Sequence, residues 1–310
     1  MPNKLIKAVR DPKKILLYAI GKGALSWIDD ERYLRTLYRV SMNKKLDLSN
    51  PQVFNEKLQW LKLYDRRPAY TMMVDKYAVR KYIADKLGEE YLIPLLGVWD
   101  DPDEIDFNML PNQFVLKCNH NSGLGMCICK DKGSLDVNKV RQDLKRGLKQ
   151  NYYKYVREWP YKNVRRRIIA EKYMVDESGI ELKDYKFMCF NGKVEMEFVC
   201  SDRYADDGLK VTFFDTQWNR LPFERHYPAS KKEIKPPINL KKMIEMAECL
   251  AKNIPFVRID FYEVNGRIYF GEITFYPGGG FEEFEPEAWD YILGNLIDLK
   301  EVQHENHYRS

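Results

Sequence analysis

One stretch near the C-terminal end constrains this chain more than any other. From Phe256 to Pro277, apolar and polar side chains alternate on either side of Asn265-Gly266. Asn-Gly between two such runs predicts a two-stranded antiparallel hairpin with a tight turn. Strand side chains alternate between faces, so Arg258, Asp260 and Tyr262 share one face of the first strand, and Glu272 and Thr274 share one face of the second. Pairing around the turn brings Asp260 and Glu272 close together among Phe, Ile, Tyr and Val side chains. Two carboxylates in such surroundings repel unless a cation lies between them. Oxygen donors of this kind suit Mg²⁺, which is commonly held by one or two carboxylates and nucleotide phosphates. The ordinary alternative is two solvated acids. The apolar neighbours, and the backbone-exposing Pro277-Gly278-Gly279-Gly280 run that follows, weigh against it.

Reading outward from the hairpin gives an α+β pattern, with no alternation of strand and helix. Residues 1–110 are expected to form a helical head. Asn50-Pro51 reads as a helix start, with Phe54, Leu58, Leu61 and Tyr64 on one face. Asp75 opens a further helix that Gly88 ends. Residues 111–175 read as a small strand-rich unit: a strand over 114–118, a glycine loop over 119–125, a strand over 126–129, a basic helical segment, and a strand over 168–174. Residues 176–310 read as a larger antiparallel unit, with strands over 184–191, 193–200 and 210–215, a helix over 240–253, the hairpin, and a last helix over 286–299.

Charge and cysteine usage exclude several classes. A net charge of +5 over 310 residues gives no argument for nucleic acid. The excess is concentrated, with eleven Lys and Arg between Asn138 and Arg167 facing only Asp143 and Glu158. That segment is either a solvated helix face or a mobile basic lid over phosphates or an acidic glycan. The six cysteines form no Cys-x-x-Cys pair, and His120, His226, His304 and His307 have no metal-ligand spacing, so neither a zinc framework nor a disulfide scaffold is expected. A reducing, cytoplasmic compartment follows. No apolar run reaches the ~20 residues that span a bilayer. Lys4, Lys7, Arg10, Lys13 and Lys14 before Ile15–Ile20 leave a basic amphipathic helix at the inner membrane face as an expectation, against the commoner case of a helix packed on its own protein.

Two further pieces carry chemistry. Lys117 ends a strand and precedes Asn119, Ser122, Gly123 and Gly125, a loop whose small residues let backbone N–H groups approach phosphate oxygens. It is not the loop in which Lys follows the glycines, and alone it equally reads as a plain hairpin. The strand Glu171-Lys172-Tyr173-Met174 has an edge able to offer a carbonyl and an N–H to adenine, with Met174 packing on the ring; alone it equally reads as a core strand.

Taken together, these pieces resemble the ATP-grasp superfamily. Lys117 with its Ser-Gly loop, Glu171-Lys172-x-Met174, Arg258-x-Asp260 and Glu272-x-Thr274 with Pro277-Gly278 occur in that order. The segments are similar to those of D-alanine–D-alanine ligases. They are more similar to the TupA-like ATP-grasp family, named for teichuronopeptide biosynthesis and typical of bacterial surface-polysaccharide gene clusters. Phe54–Leu61, Asp75–Arg80, Lys117–His120, Asp184–Phe187 and Gly271–Pro277 carry that likeness. The resemblance implies an ATP-grasp fold in which two α+β subdomains grip ATP. It places Lys117 on the α- or β-phosphate, the 119–125 loop over the phosphates, and Glu171, Lys172 and Met174 around adenine. It gives Mg²⁺ to Asp260, Glu272 and Thr274, and the transferred phosphate to Arg258, with Lys186 as a further catalytic cation. Thr274 departs from the Asn usual in related ligases, which puts two-metal geometry in question. The implied reaction turns a carboxylate into an acylphosphate that an amine attacks. The partners expected are a uronic acid or other carboxylate of a surface glycan and an amine such as an amino acid. A sugar kinase on the same fold, a glycosyltransferase using Asp101-x-Asp103, and a non-catalytic polysaccharide-binding module are the alternatives.

Overall fold

A computed structural model describes residues 12–21, 23, 25–175, 182–202, 208–300 and 302. The early basic residues Lys4, Lys7 and Arg10, with His304 and His307, lie outside the described residues. Among the described residues no helix is long and apolar enough to cross a membrane, and all six cysteines are free thiols.

The described chain opens on α1 (Pro12–Gly21), α2 (Asp30–Met42), α3 (Phe54–Tyr64), α4 (Pro68–Val74) and α5 (Val79–Lys86). Asp29 caps α2 by accepting from the Arg32 N–H at 2.9 Å. The start expected at Asn50-Pro51 moves to Phe54. Asp47 accepts from the Ser49 and Asn50 N–H groups, and Glu56 accepts from those of Asp47 and Gln52. Asn50 and Pro51 are therefore spent in a closed loop ahead of the helix. Asp75 behaves as expected, accepting from the N–H groups of Tyr77 and Ala78 just before α5.

A four-stranded antiparallel sheet follows: β1 (Leu95–Trp99), β2 (Phe114–Cys118), β3 (Met126–Cys129) and, after α6 (Val137–Lys149) and α7 (Tyr153–Val156), β4 (Ile168–Lys172), in the order β1-β4-β2-β3. Val140 and Leu144 of α6 pack with Phe114, Leu116, Ile168 and Ala170 in its core. Because β1 and the core residues Ile105, Phe107 and Leu110 precede residue 111, the small unit begins earlier than expected. The sequence showed β1 only as an apolar run without alternation.

The larger sheet holds β5 (Asp184–Phe190), β6 (Lys193–Ser201) and β7 (Lys210–Asp215). After β8 (Glu224–Arg225) and α8 (Leu240–Ala251) come β9 (Phe256–Val264) and β10 (Arg267–Thr274), giving the order β10-β9-β5-β6-β7, all antiparallel. β11 (Phe284–Glu285) pairs with β8, and α9 (Ala288–Leu296) packs against α3. Leu34, Phe54, Leu58 and Ile83 of the helical head share one core with Phe187, Phe256 and Phe261 of this sheet. The head is thus built onto the large unit, and its helices buttress the sheet that carries the hairpin acids.

Candidate active site

The hairpin register decides which acids meet. The turn pairs Arg267 with Val264 and Phe270 with Phe261. Continued unchanged, that register would set Glu272 opposite Ile259, on the face away from Asp260. A bulge between Phe270 and Glu272 shifts it by one residue, so Glu272 stands opposite Asp260 and Thr274 opposite Arg258. Gly271 is the extra residue, and a Cβ there would lie 3.0 Å from the Asp260 carbonyl oxygen. From β5, Lys186 stands opposite Asp260 on the other side.

The charges on this face compensate one another. Arg258 donates from Nε to Asp260 Oδ1 at 2.7 Å, and from one Nη to Asp260 Oδ2 and Glu272 Oε1, each at 2.8 Å. It also donates to Thr274 Oγ1 at 3.1 Å, and Lys186 donates to Asp260 Oδ2. The repulsion expected between bare carboxylates is therefore absent, because a guanidinium bridges them. Burial alone would raise the Glu272 carboxyl, but Lys76, Arg258, Lys186 and Lys117 hold it down at about 2. Burial raises Asp260 despite Arg258 and Lys186. The two acids also differ in access: Asp260 is 1% exposed with both oxygens engaged, whereas the Glu272 side chain is 38% exposed toward the cleft. Among the described residues no cluster of three or more His, Cys, Asp or Glu is placed to hold a metal. The donors present suit a hard cation carried in with phosphate oxygens, with Glu272 and the Thr274 hydroxyl at the open face and Asp260 behind them.

On the small sheet, Lys117 forms an ion pair with Glu171 at 2.5 Å, and Arg80 pairs with the other Glu171 oxygen at 3.2 Å. β4 is an interior strand, so the Glu171 backbone sits in a ladder between Leu95 and Val115. The expectation that Glu171 offers backbone groups to a base is corrected. The chain leaves the ladder only after Lys172, whose N–H goes to the Pro94 carbonyl. Beside this exit a cleft of about 230 Å³ is lined by Ile93, Val115, Met126, Ile128, Met174 and Leu182, together with the charged Lys117, Lys172 and Glu171. It offers apolar walls for a flat ring and a cation for phosphate.

Two loop assignments also change. Asn119 is fully buried and fully used, donating to Asp75 and the Arg165 carbonyl and accepting from the Arg167 N–H. Gly125 serves packing, since a Cβ there would lie 2.9 Å from both Cys118 Sγ and Gly147 Cα of α6. Ser122 and Gly123 remain at the exposed tip. Ser122 lines a second cleft, of about 380 Å³, together with Lys76, Arg258, Glu272, Thr274, Glu158 and the Pro277–Gly279 turn.

Sequence reasoning missed Lys76, Gln59, Lys62 and Glu158. Lys76 donates to the Asn121 carbonyl at 2.7 Å, so it supports the loop and presents charge to Glu272. Asn55, Gln59 and Lys62 form a polar stripe on α3 at near-helical spacing. Asn55 donates to the Glu282 carbonyl, and Gln59 to the carbonyls of Gly279 and Gly280. Lys62, fully buried, donates to the carbonyls of Val156 and Gly279 and to Gln59. Burial lowers its ammonium to about 7. Amphipathic reading assigns such a stripe to solvent; the signal was a Lys and a Gln on a face bounded by Leu58, Trp60 and Leu61.

The basic segment is tethered. Tyr33 donates to the carbonyls of Lys154 and Tyr155, and buried Arg157 donates to those of Ser26 and Ile28 while lying 4.1 Å from the Tyr33 ring centre. Arg165 pairs with Asp100 and Lys145 with Asp103. Against the mobile-lid expectation, these charges have partners in the fold. Asp101-x-Asp103 is likewise structural: Asp101 accepts from the Asp103 N–H at 2.8 Å at a turn start.

A family model described as TupA-like ATPgrasp matches residues 56–298. No curated protein matches the chain. Among solved structures, the chain is similar to D-alanine–D-alanine ligase from Bacillus anthracis complexed with ATP, at 17% identity and a TM-score of 0.40, over 66% of this chain and 55% of that one. It is also similar to D-alanine–D-alanine ligase from Helicobacter pylori, at 14% identity and a TM-score of 0.42, over 79% and 69% of the two chains. A third is an N5-carboxyaminoimidazole ribonucleotide synthetase in complex with ADP, at 14% identity and a TM-score of 0.40, over 79% and 56%. The chain thus spans little more than half the length of the first of these.

Proposed function

Because the chain belongs to the TupA-like ATP-grasp family, we propose that it is an ATP-dependent ligase joining a carboxylate to an amine through an acylphosphate. The carboxylate is that of a uronic acid or related group of a bacterial surface glycan, and the amine is an amino acid or similar compound. The observation that supports this best is the pair of clefts on either side of the 119–125 loop in sequence: one largely apolar and lined also by Lys117 and Met126, the other holding Ser122, Lys76, Arg258 and Glu272.

On this reading the base enters between Met174, Ile128 and Val115, and its phosphates run past Lys117 and Lys76 under the Ser122-Gly123 tip. Arg258, fixed by Asp260, stands where charge builds as the γ-phosphoryl group moves to the carboxylate. Lys186 holds Asp260, and so orients Arg258 through it. Glu272 with Thr274 would hold Mg²⁺, which when bound neutralises phosphate oxygens and helps place them in line. The residues position and neutralise; none is needed as a covalent nucleophile.

The test is nucleotide turnover with glucuronate and galacturonate, each with and without amino acids. Carboxylate-dependent ADP release, with a hydroxamate trapped by hydroxylamine, is the expected outcome. ADP release that leaves a phosphate ester on a hydroxyl, with no hydroxamate, would convert the reading to a sugar kinase.

A further inference from the structure

Glu158 is the one acid of the larger cleft that the reading above leaves without a role. It is 4% exposed, yet among the described residues no group donates a hydrogen bond to its carboxylate. Its carboxylate lines the cleft, so a ligand held there can supply the donor that the fold does not. Its position is held from behind: Lys62 binds the carbonyl of Val156, and Arg157 is anchored on α2 and the turn before it. Tyr152 and Tyr161, with ring centres 4.8 Å apart, stand beside it on the cleft wall. Arg258 and Glu272 line the same cleft. The cleft therefore holds cations that suit phosphate and, beside an aromatic pair, a buried acid on which Lys62 is the main opposite charge; an ammonium group there is favoured by the acid and by the neighbouring rings.

We propose that Glu158 receives the amino group of the second substrate, a primary amine that enters the cleft as its ammonium ion. This rests on the ligase reading and names the group that recognises its nucleophile. The ammonium gives one proton to the Glu158 carboxylate. The free amine attacks the acylphosphate carbon, forming the C–N bond as the C–O bond to phosphate breaks. The second proton leaves with the departing phosphate, and Glu158 returns its own to solvent. Burial holds the Glu158 carboxyl at about 7, which suits a group that accepts and releases a proton near neutrality.

The experiment titrates glycine, L-alanine, L-lysine, D-glucosamine and methylammonium into the full chain, with and without Mg²⁺-ADP, reading the shift in melting temperature and the Kd. At least one amine is expected to bind the wild-type protein. Glu158→Gln should weaken that amine at least tenfold, Glu158→Asp should restore part of the affinity, and nucleotide binding should be unchanged in both. The uncharged methyl glucoside should bind no better to wild type than to the Gln variant. Equal amine affinity in wild type and Glu158→Gln, or no binding by any of the amines, would overturn the assignment. Failure of Mg²⁺-ADP to bind wild type would sink the ligase reading instead, and the amine titration without nucleotide still decides the role of Glu158.

Discussion

Asp260 and Glu272 face each other but have separate duties. Asp260 neutralises two buried cations, Arg258 and Lys186, so Asp260→Ala leaves Arg258 with Glu272 alone and Lys186 with only the longer contact to Asp184, and should cost about 3 kcal/mol. Glu272→Gln leaves Arg258 paired with Asp260, so stability should move little while turnover falls by about 10²–10³-fold. Urea denaturation beside steady-state turnover separates the two; an unstable Glu272→Gln protein would show that the pair acts as one unit. Glu197 presents a different case. It sits inside β6 opposite Phe187 and Phe214, with neither carboxylate oxygen partnered, and burial raises it to about 8. The folded state therefore binds its proton more tightly than the unfolded state does. Its contribution is lost as pH rises from the ordinary carboxyl range toward 8, by a few kcal/mol at most on the order of one unit per 1.4 kcal/mol. Melting temperatures from pH 5 to 8 should fall more steeply for wild type than for Glu197→Gln, and parallel curves would refute the buried, protonated state.

At the scale of elements, the hairpin shows how far sequence reading carried. Asn265-Gly266 and the alternation around it gave both strands and named Asp260 and Glu272, but period-two counting places those acids on opposite faces. Only the Gly271 bulge brings them together, and a bulge leaves no mark in a hydrophobic pattern beyond a glycine in a strand. Gly271→Ala puts a methyl against the Asp260 carbonyl; it should cost about 1–3 kcal/mol and reduce turnover more than that loss of stability accounts for. Strand β1 and the interior place of β4 were hidden for a similar reason: strand order is a long-range property that local sequence does not encode. The α3 stripe was hidden because Gln59 and Lys62 bond to carbonyls more than 90 residues away. Lys62→Met keeps the stem and removes three donated hydrogen bonds, leaving the carbonyls of Val156 and Gly279 poorer by one donor each. A loss of about 1–3 kcal/mol and faster amide exchange at Gly278–Phe281 are the expected results, read by denaturation and hydrogen exchange.

Over the whole molecule, the two sheets carry the two halves of the site, and the segment between β3 and β4 decides how they are joined. Its composition suggested like charges held apart by solvent. The structure instead fixes residues 153–161 to the helical head through Tyr33, Asp30 and Arg157, and that head shares its core with the large sheet. This wall of the larger cleft is therefore part of the large unit. The parts expected to respond to nucleotide are the exposed Ser122–Leu124 tip and residues 173–175, none of which is buried. Hydrogen exchange should then show 153–161 protected in the absence of nucleotide and unchanged by it, while 121–124 and 173–175 gain protection on adding Mg²⁺-ADP. Arg157→Ala should release the wall: it removes a buried cation from Asp30 and from two carbonyls, at about 3–5 kcal/mol, and should speed exchange at 153–161 several-fold. Protection of 153–161 that appears only with nucleotide would restore the mobile lid and place the wall with the small sheet instead.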